Sequence, residues 1–269
     1  MLGRLLKYEL RSTSRIMLFI YGAVIAMGLL LGLAIRARIY FGKVDIWSSG
    51  IDPVGSGITF TGILVMSLIL IYILLLTAMS VLTIVFIILR FYNNLLQGPG
   101  YLMHTLPVPT WMHVVSKLLV AIIWELLIWV VTGISVVILG VSSGAIGYIL
   151  KEIGFREIWE TLYESFGMNI VTFLLTCFIG MVLTIIHYYF CMAVGNLANR
   201  NKMLWAVVTY IATQAVFSIV GTVLGASVLA LFEYTPEMMI WRLLIVNTVA
   251  AALCFAGTVY ILKNKLNLA

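Results

Sequence analysis

Residues 58–89 read ITFTGILVMSLILIYILLLTAMSVLTIVFIIL, a stretch without a single charged side chain. An α-helix of about 32 residues is about 48 Å long, whereas the hydrocarbon core of a bilayer is about 30 Å thick. The stretch therefore predicts a transmembrane helix that either tilts strongly or projects into the cytoplasm.

Five further apolar runs, each of about 18 residues or more, occur along the chain. They cover residues 17–35, 118–141, 169–194, 203–231 and 240–262. Of the 269 residues, 63% are hydrophobic and 10% charged, so a water-soluble fold would have too few polar groups to cover its surface. The connections are too short to hold a soluble domain of ordinary size. We predict an all-α, polytopic membrane protein, with six transmembrane helices in a single transmembrane domain over residues 1–269.

The segment before the first run is basic and amphipathic. Basic residues followed by an apolar run also occur in secretory signals, but this run is longer than a signal's apolar region, which predicts a retained first helix. On a helix, Arg4, Lys7 and Arg11 form one narrow stripe opposite several leucines, which predicts an interfacial helix over residues 1–15 that lies on membrane lipid. Glu9 lies among the leucines, with no cation three or four residues away. Either it reaches headgroup water or it pairs with another segment, and both remain open.

Lysine and arginine near the ends of spans indicate which side of the membrane is cytoplasmic. Residues 1–15 carry four bases against one acid. The connection between the second and third spans, the connection between the fourth and fifth spans, and the C-terminal tail carry bases without acids. On the opposite side, two acids offset most of the three bases in the 36–57 loop, and four glutamates outnumber the two bases in the 142–168 loop. We therefore predict that both termini face the cytoplasm. The bases that decide this are Arg4, Lys7, Arg11, Arg15, Arg90, Lys117, Arg200, Lys202, Lys263 and Lys265.

The sequence does not indicate a disulfide framework, a metal site, nucleic-acid binding or ATP binding. Cys177, Cys191 and Cys254 lie inside apolar runs, with no CxxC spacing and no histidine at ligand spacing, so neither a disulfide framework nor a metal site is indicated. The net charge of +6 fits anionic lipid headgroups, and no nucleic-acid motif occurs. A GxxxxGK[ST] phosphate loop does not occur. Energy for any transport would come from another chain or from an ion gradient.

The segment after the second run reads FYNNLLQGPGYLMHTLPVPT over residues 91–110. Gly98-Pro99-Gly100 breaks the helix, and Pro107 with Pro109 prevents its return, so a short helix fits over residues 101–106. Thr110 is the predicted N-cap of the third span. The short helix is more apolar than a loop needs, which is typical of a docking surface. Insertion of its side chains into the lipid interface explains the pattern equally well.

Two motifs resemble a known family. The N-terminal LLKYELR at residues 5–11 and the GYLMHTLPV loop at residues 100–108, together with six spans, resemble permease subunits of bacterial ABC transporters of the ABC-2 type. The resemblance covers the whole chain in layout, but in motif it rests on these two segments. Relatives often have an acid just before the Gly-Tyr pair, whereas this chain has Pro99, which offers no charge for an electrostatic contact there.

The resemblance implies a function and a set of partners. Residues 98–108 would form a cytoplasmic coupling loop that seats on a separate ATP-binding subunit, in the cell membrane of a bacterium. Two permease copies and two ATPase subunits would form the working unit. ATP and magnesium would then be bound by the partner, with no cofactor and no catalytic residue on this chain. The implied coupling residues are Gly100, Tyr101, Leu102, Met103, His104 and Leu106.

Two ionisable residues lie deep inside predicted spans, where they are costly. Glu125 and His187 are each about 10 Å from the same face, counted along their helices. They could form a polar pair that fixes helix packing or lines a translocation path. Alternatively, Glu125 is protonated and bonded elsewhere, and His187 is uninvolved. Gln214 and Asn247 fit interhelical hydrogen bonding better than ligand contact.

Glycines spaced four residues apart allow close helix approach. Gly28 with Gly32, and Gly221 with Gly225, have this spacing and are candidates for packing two copies of the chain. Residues 221–226 could also break the fifth span, so that residues 227–234 re-enter the outer leaflet, as the family resemblance would imply.

An amphipathic pattern also occurs in the loop after the third span. Ile158, Leu162 and Phe166 recur every four residues, with glutamates between them. This predicts an external amphipathic helix over residues 154–166, which could cover the exit of a translocation path.

Three functions fit the sequence. The first is an ABC exporter permease that forms a homodimer and exports an amphipathic substrate, with peptide export or peptide-antibiotic self-protection as the expected role. The second is an ion-coupled secondary transporter, which should show intramembrane carboxylates or paired repeats with interrupted helices. The third is a membrane enzyme acting on lipids through Glu125 and His187, the single candidate pair for catalysis.

Overall fold

The computed structural model describes residues 2–42, 60–96, 109–152, 170–198, 200–231 and 236–265, together with residues 154, 156, 157 and 160. For residues 2–13, 15, 16, 41, 42, 60, 61, 94, 152, 224–231, 236 and 237, only the backbone is described.

The described part of the chain is helical, and no strand occurs in it. Its α-helices are α1 (Leu2–Gly42), α2 (Phe60–Phe91), α3 (Thr110–Ser143), α4 (Ala145–Glu152), α5 (Ile170–Gly195), α6 (Lys202–Leu231) and α7 (Pro236–Asn264). A π-helical turn, Tyr92–Leu96, continues α2.

Six of these helices are long and apolar enough to cross a membrane, as the sequence predicts. The chain is therefore a multi-pass membrane protein by the length and composition of its helices. The candidate spans are Met17–Tyr40, Gly62–Phe91, Thr110–Ser143, Ile170–Gly195, Lys202–Val223 and Met238–Asn264.

The chain packs as two compact units. Unit 1 contains Met1–Leu6, Ile84–Ile123 and Phe166–Ala269, and unit 2 contains Lys7–Thr83 and Trp124–Ser165. Helices α1, α2 and α3 each contribute to both units, because α1 changes unit after Leu6, α2 after Thr83 and α3 after Ile123.

Unit 2 is held together by close contacts of α3 with α1 and α2. The Ser135 hydroxyl lies 2.9 Å from the Tyr72 hydroxyl on α2 and 3.2 Å from the Val24 carbonyl oxygen on α1. A Cβ atom on Gly28 would lie 2.6 Å from Ser135 Oγ, and one on Gly32 would lie 2.9 Å from the Leu139 carbonyl oxygen. Glycine is therefore required at both positions, because a side chain would separate the helices.

In unit 1, α5 packs against both α6 and α7. A Cβ atom on Gly195 would lie 2.7 Å from Ala206 Cβ on α6, and one on Gly257 of α7 would lie 2.7 Å from Phe190 on α5. Small residues thus allow close approach at both interfaces of α5. Asn201, with a φ of 56°, lies in the short turn between α5 and α6; asparagine tolerates this left-handed conformation better than most residues.

Several elements differ from the predicted ones. Residues 2–42 form one helix of 41 residues, so no break separates the predicted interfacial segment from the first span. Its interfacial position and the cytoplasmic location of both termini stay predictions. Gly144, with a φ of 85°, separates α3 from α4, a helix that the sequence analysis treated as loop.

The predicted break in the fifth span is wrong for the described backbone. Helix α6 continues through residues 221–226 to Leu231. Glycine is poor at ending a helix in an apolar environment, because an interrupted helix there would leave backbone groups without partners.

Candidate functional site

The predicted coupling residues, from Gly100 to Leu106, lie outside the described residues, and their role stays a prediction. The chain on both sides of them is described, and both sides belong to unit 1. The candidate site is therefore built here from the two flanks of residues 97–108.

The upstream flank continues further as helix than predicted. The apolar run ends at Leu89, but α2 extends to Phe91 and the π-helical turn reaches Leu96. Phe91 and Leu95 are fully buried, and Leu96 is nearly so. A π-helical turn inserts an extra residue into the helical repeat, and such turns recur at functional sites. The residues that lead into the 97–108 segment are thus fixed in a core.

The downstream flank is the start of α3. The helix begins at Thr110, where its N-cap was predicted, and the Met112 amide donates to the Pro109 carbonyl oxygen at 3.0 Å. Val114 and Ala121 are buried in the same core as Phe91 and Leu95. Lys117, used above as a topology marker, is also buried, with an exposed fraction of 4%.

Tyr189 on α5 contacts both flanks. Its ring stacks on that of Phe91, with centroids 4.1 Å apart and planes 9° apart. Its hydroxyl donates a hydrogen bond to the Lys117 carbonyl oxygen at 3.3 Å. Tyr189 has an exposed fraction of 1%, and it is the largest fully buried residue in the described part of the chain. One side chain therefore contacts both flanks of the predicted coupling segment.

The core around Tyr189 contains residues of five helices and of the π-helical turn. Apolar side chains from α2, the π-helical turn, α3, α5, α6 and α7 pack together in it. Apart from Tyr189, its buried members are Ile87, Phe91, Leu95, Leu96, Val114, Ala121, Met181, Ile185, Met192, Ala206 and Leu262.

His187 has partners on α6. Its Nε2 lies 2.6 Å from Thr213 Oγ1, and its ring stacks on Tyr210 at 5.1 Å and contacts Phe217 at 5.2 Å. Thr213 and Tyr210 were not singled out by the sequence analysis. Counting from the turn gives similar depths for the two side chains, because His187 is eight residues before Gly195 and Thr213 is seven residues after Ala206, which packs on Gly195. The sequence does not give the helix rotation that brings them together.

Glu125 belongs to unit 2 and is half-buried. Tyr21 of α1, in the same unit, donates its hydroxyl hydrogen at 3.4 Å to the carbonyl oxygen of Trp124, the residue before Glu125. His187 belongs to unit 1. The predicted pairing of Glu125 with His187 stays a prediction.

The four glycines proposed to pack two copies differ in surroundings. Gly28 and Gly32 are in contact with α3 of the same chain. Gly221 has open space in its Cβ direction, and the side-chain environment of Gly225 lies outside the described residues. The role of all four in a dimer stays a prediction, and Gly221 has room for a second helix.

Two further predicted segments are described in part. For Arg4, Lys7, Glu9 and Arg11, the structure describes a helical backbone without side-chain positions. Most of residues 154–166 lie outside the described part, but Arg156 Nε lies 2.8 Å from Glu160 Oε1, an ion pair with helical spacing. Both segments stay predictions as interfacial and external helices.

The chemistry available inside the membrane is limited in the part of the chain that is described. No group of three or more histidine, cysteine or acidic side chains lies there in reach of one metal ion. Cys191 and Cys254 are buried and Cys177 is half-buried, all three as free thiols.

Comparison of the chain with protein-family models, with curated proteins and with solved structures finds no match.

Proposed function

We propose that this chain is the membrane-spanning permease subunit of an ATP-driven exporter of the ABC-2 type. Residues 100–106 would dock on a separate ATP-binding subunit, and two permease copies would enclose the path. The observation that carries the proposal is that the apolar 97–108 segment is flanked on both sides by residues buried in one core with α5, α6 and α7. A force applied to that segment would reach three membrane helices.

Three features of the sequence support the same assignment. The LLKYELR and GYLMHTLPV motifs resemble the family, and the distribution of bases predicts that the segment is on the cytoplasmic side, where ATP is available. The chain has no phosphate loop of its own, so ATP hydrolysis would be supplied by the partner.

We propose an amphipathic substrate, with a peptide as the first candidate. The described side chains of the spans offer few charged groups with which to bind a hydrophilic solute. An apolar path favours a substrate that carries apolar surface of its own.

The proposal is tested by purifying the tagged chain from its native bacterial membranes in a mild detergent. We expect a stoichiometric ATP-binding protein in the preparation, together with ATP hydrolysis that sediments with the complex. A preparation without an ATP-hydrolysing chain would contradict the proposal. Solute uptake by the purified chain alone, driven by an imposed proton or sodium gradient, would favour an ion-coupled secondary transporter.

A further inference from the structure

Tyr189 contacts both flanks of residues 97–108. It lies in the second half of α5 and touches Phe91 upstream and the Lys117 backbone downstream. The three groups are far apart in sequence but belong to one unit. Tyr189 on α5 is therefore a common contact of the two flanks, α2 and α3.

The contact with Phe91 is rigid. The rings are nearly parallel at 4.1 Å, and both side chains are almost completely buried. Protein interiors are packed as densely as organic crystals, so a ring in such a stack cannot move without moving its neighbour or opening a cavity. Displacement of the end of α2 at Phe91 therefore acts on Tyr189.

The contact with Lys117 is directional. The Tyr189 hydroxyl is buried, and its hydrogen bond to the Lys117 carbonyl oxygen is its polar contact in this core. A buried hydroxyl left without a partner is costly, so rotation or translation of α3 is also resisted through this bond. Stack and hydrogen bond together couple α5 to both flanks.

Resting on the proposed function, we propose that Tyr189 is the positioning residue that transmits movement of the docked segment into α5. It does not touch ATP or the substrate. It keeps Phe91 and Lys117 in register with α5, so that both flanks and α5 move as one body when the ATP-binding subunit closes. Movement of α5 then passes to α6 and α7 through their close contacts at Gly195 and Gly257.

The experiment follows movement at two exposed positions of the complex with its ATP-binding subunit. An environment-sensitive thiol-reactive fluorophore is placed on Trp111→Cys, next to the segment, or on Leu174→Cys, near the opposite end of α5; both side chains are exposed. Leu174 is 15 residues from Tyr189, or about 22 Å along the helix. The three native cysteines are replaced by serine or alanine, and ATP is added.

In the parent complex, we expect both fluorophores to respond to ATP. In Tyr189→Leu, the Trp111→Cys label still responds and the Leu174→Cys label does not, while ATP hydrolysis continues. Tyr189→Phe keeps the stack and removes the hydrogen bond to α3, so we expect the ATP response at the Leu174→Cys label to be smaller than in the parent and the response at the Trp111→Cys label to be unchanged. If Tyr189→Leu fails to assemble, Tyr189→Phe carries the test.

The matched control is Tyr72→Phe. It removes a buried tyrosine hydroxyl with a hydrogen bond of 2.9 Å from unit 2, and we expect both labels to respond as in the parent. Unchanged responses at both labels in Tyr189→Leu and Tyr189→Phe would overturn the role of Tyr189. Failure of the parent to respond to ATP at either label would instead overturn the proposed function.

Discussion

His187 shows how a single polar side chain is accommodated inside a span. The hydroxyl of Thr213 lies 2.7 Å from the Thr209 carbonyl oxygen and 3.2 Å from that of Tyr210. Its one hydrogen is used there, so it must accept from His187, which makes Nε2 the protonated ring nitrogen. The bond lies between neighbouring helices of one unit and gives Nε2 an uncharged partner.

This pairing predicts a coupled loss of stability. Thr213→Val removes the acceptor, and we expect it to lower the free energy of unfolding in detergent by roughly 0.5–2 kcal/mol, because the buried Nε2–H loses its partner. His187→Gln combined with Thr213→Val should cost less than the sum of the two single changes. Thermal unfolding of the four proteins measures the difference. Strictly additive losses would mean that the bond contributes nothing.

At the scale of helices, glycine positions decide which pairs approach closely. In unit 2, the face of α1 with Gly28 and Gly32 lies directly against α3. Gly22 on the same helix has open space in its Cβ direction, so it marks a face without a close neighbour among the described residues. A substitution at Gly32, which lies against α3, can therefore be compared with the same substitution at Gly22, which has open space.

Gly32→Leu should destabilise the chain and Gly22→Leu should not. At Gly32 a side chain would collide with the α3 backbone at Leu139, and overpacking of this kind costs about 1–3 kcal/mol. The melting temperature in detergent is the measurement. Equal melting temperatures for the two variants would show that α1 and α3 are not packed as described.

Gly221→Leu tests the dimer. Open space beside Gly221 leaves room for a helix of a second copy, and leucine there should separate the two helices and lower dimer formation. Gly133→Leu is the control, because Gly133 on α3 also has open space in its Cβ direction. Crosslinking in membranes measures the dimer fraction. Identical yields for the parent and Gly221→Leu would remove this face from the interface.

At the scale of the whole chain, much of the fold follows from the sequence because apolar length alone identifies a span. All six candidate spans overlap the predicted runs. Local features of the helices were harder to predict from the sequence. The π-helical turn and α4 have no strong signature, and the interruption expected at residues 221–226 does not occur in α6. Glycine permits a break, but the apolar surroundings favour a continuous helix.

The candidate site was predictable only in part. Pro and Gly breakers and an apolar sequence identify residues 97–108 directly. The contact of Tyr189 with Phe91 and Lys117 depends on how helices distant in sequence rotate against each other, and one sequence does not give helix rotation. For the same reason, Thr213 rather than a charged residue is the observed partner of His187.

The central claim is that the 100–106 segment docks this chain on an ATP-binding subunit. Tyr101→Asp combined with Leu102→Asp places two charges on the proposed apolar surface, and apolar anchors dominate such interfaces. The conservative control is Tyr101→Phe with Leu102→Ile, which keeps the surface apolar.

The most direct measurement is the ATP hydrolysis that copurifies with each tagged variant, per mole of permease, in membranes where insertion is checked by fluorescence of a C-terminal fusion. We predict that the aspartate pair inserts normally and loses at least about 90% of the copurifying hydrolysis, since loss of 1.4 kcal/mol of docking energy is a tenfold change. The control pair should retain it. Undiminished hydrolysis with the aspartate pair would contradict docking through this segment.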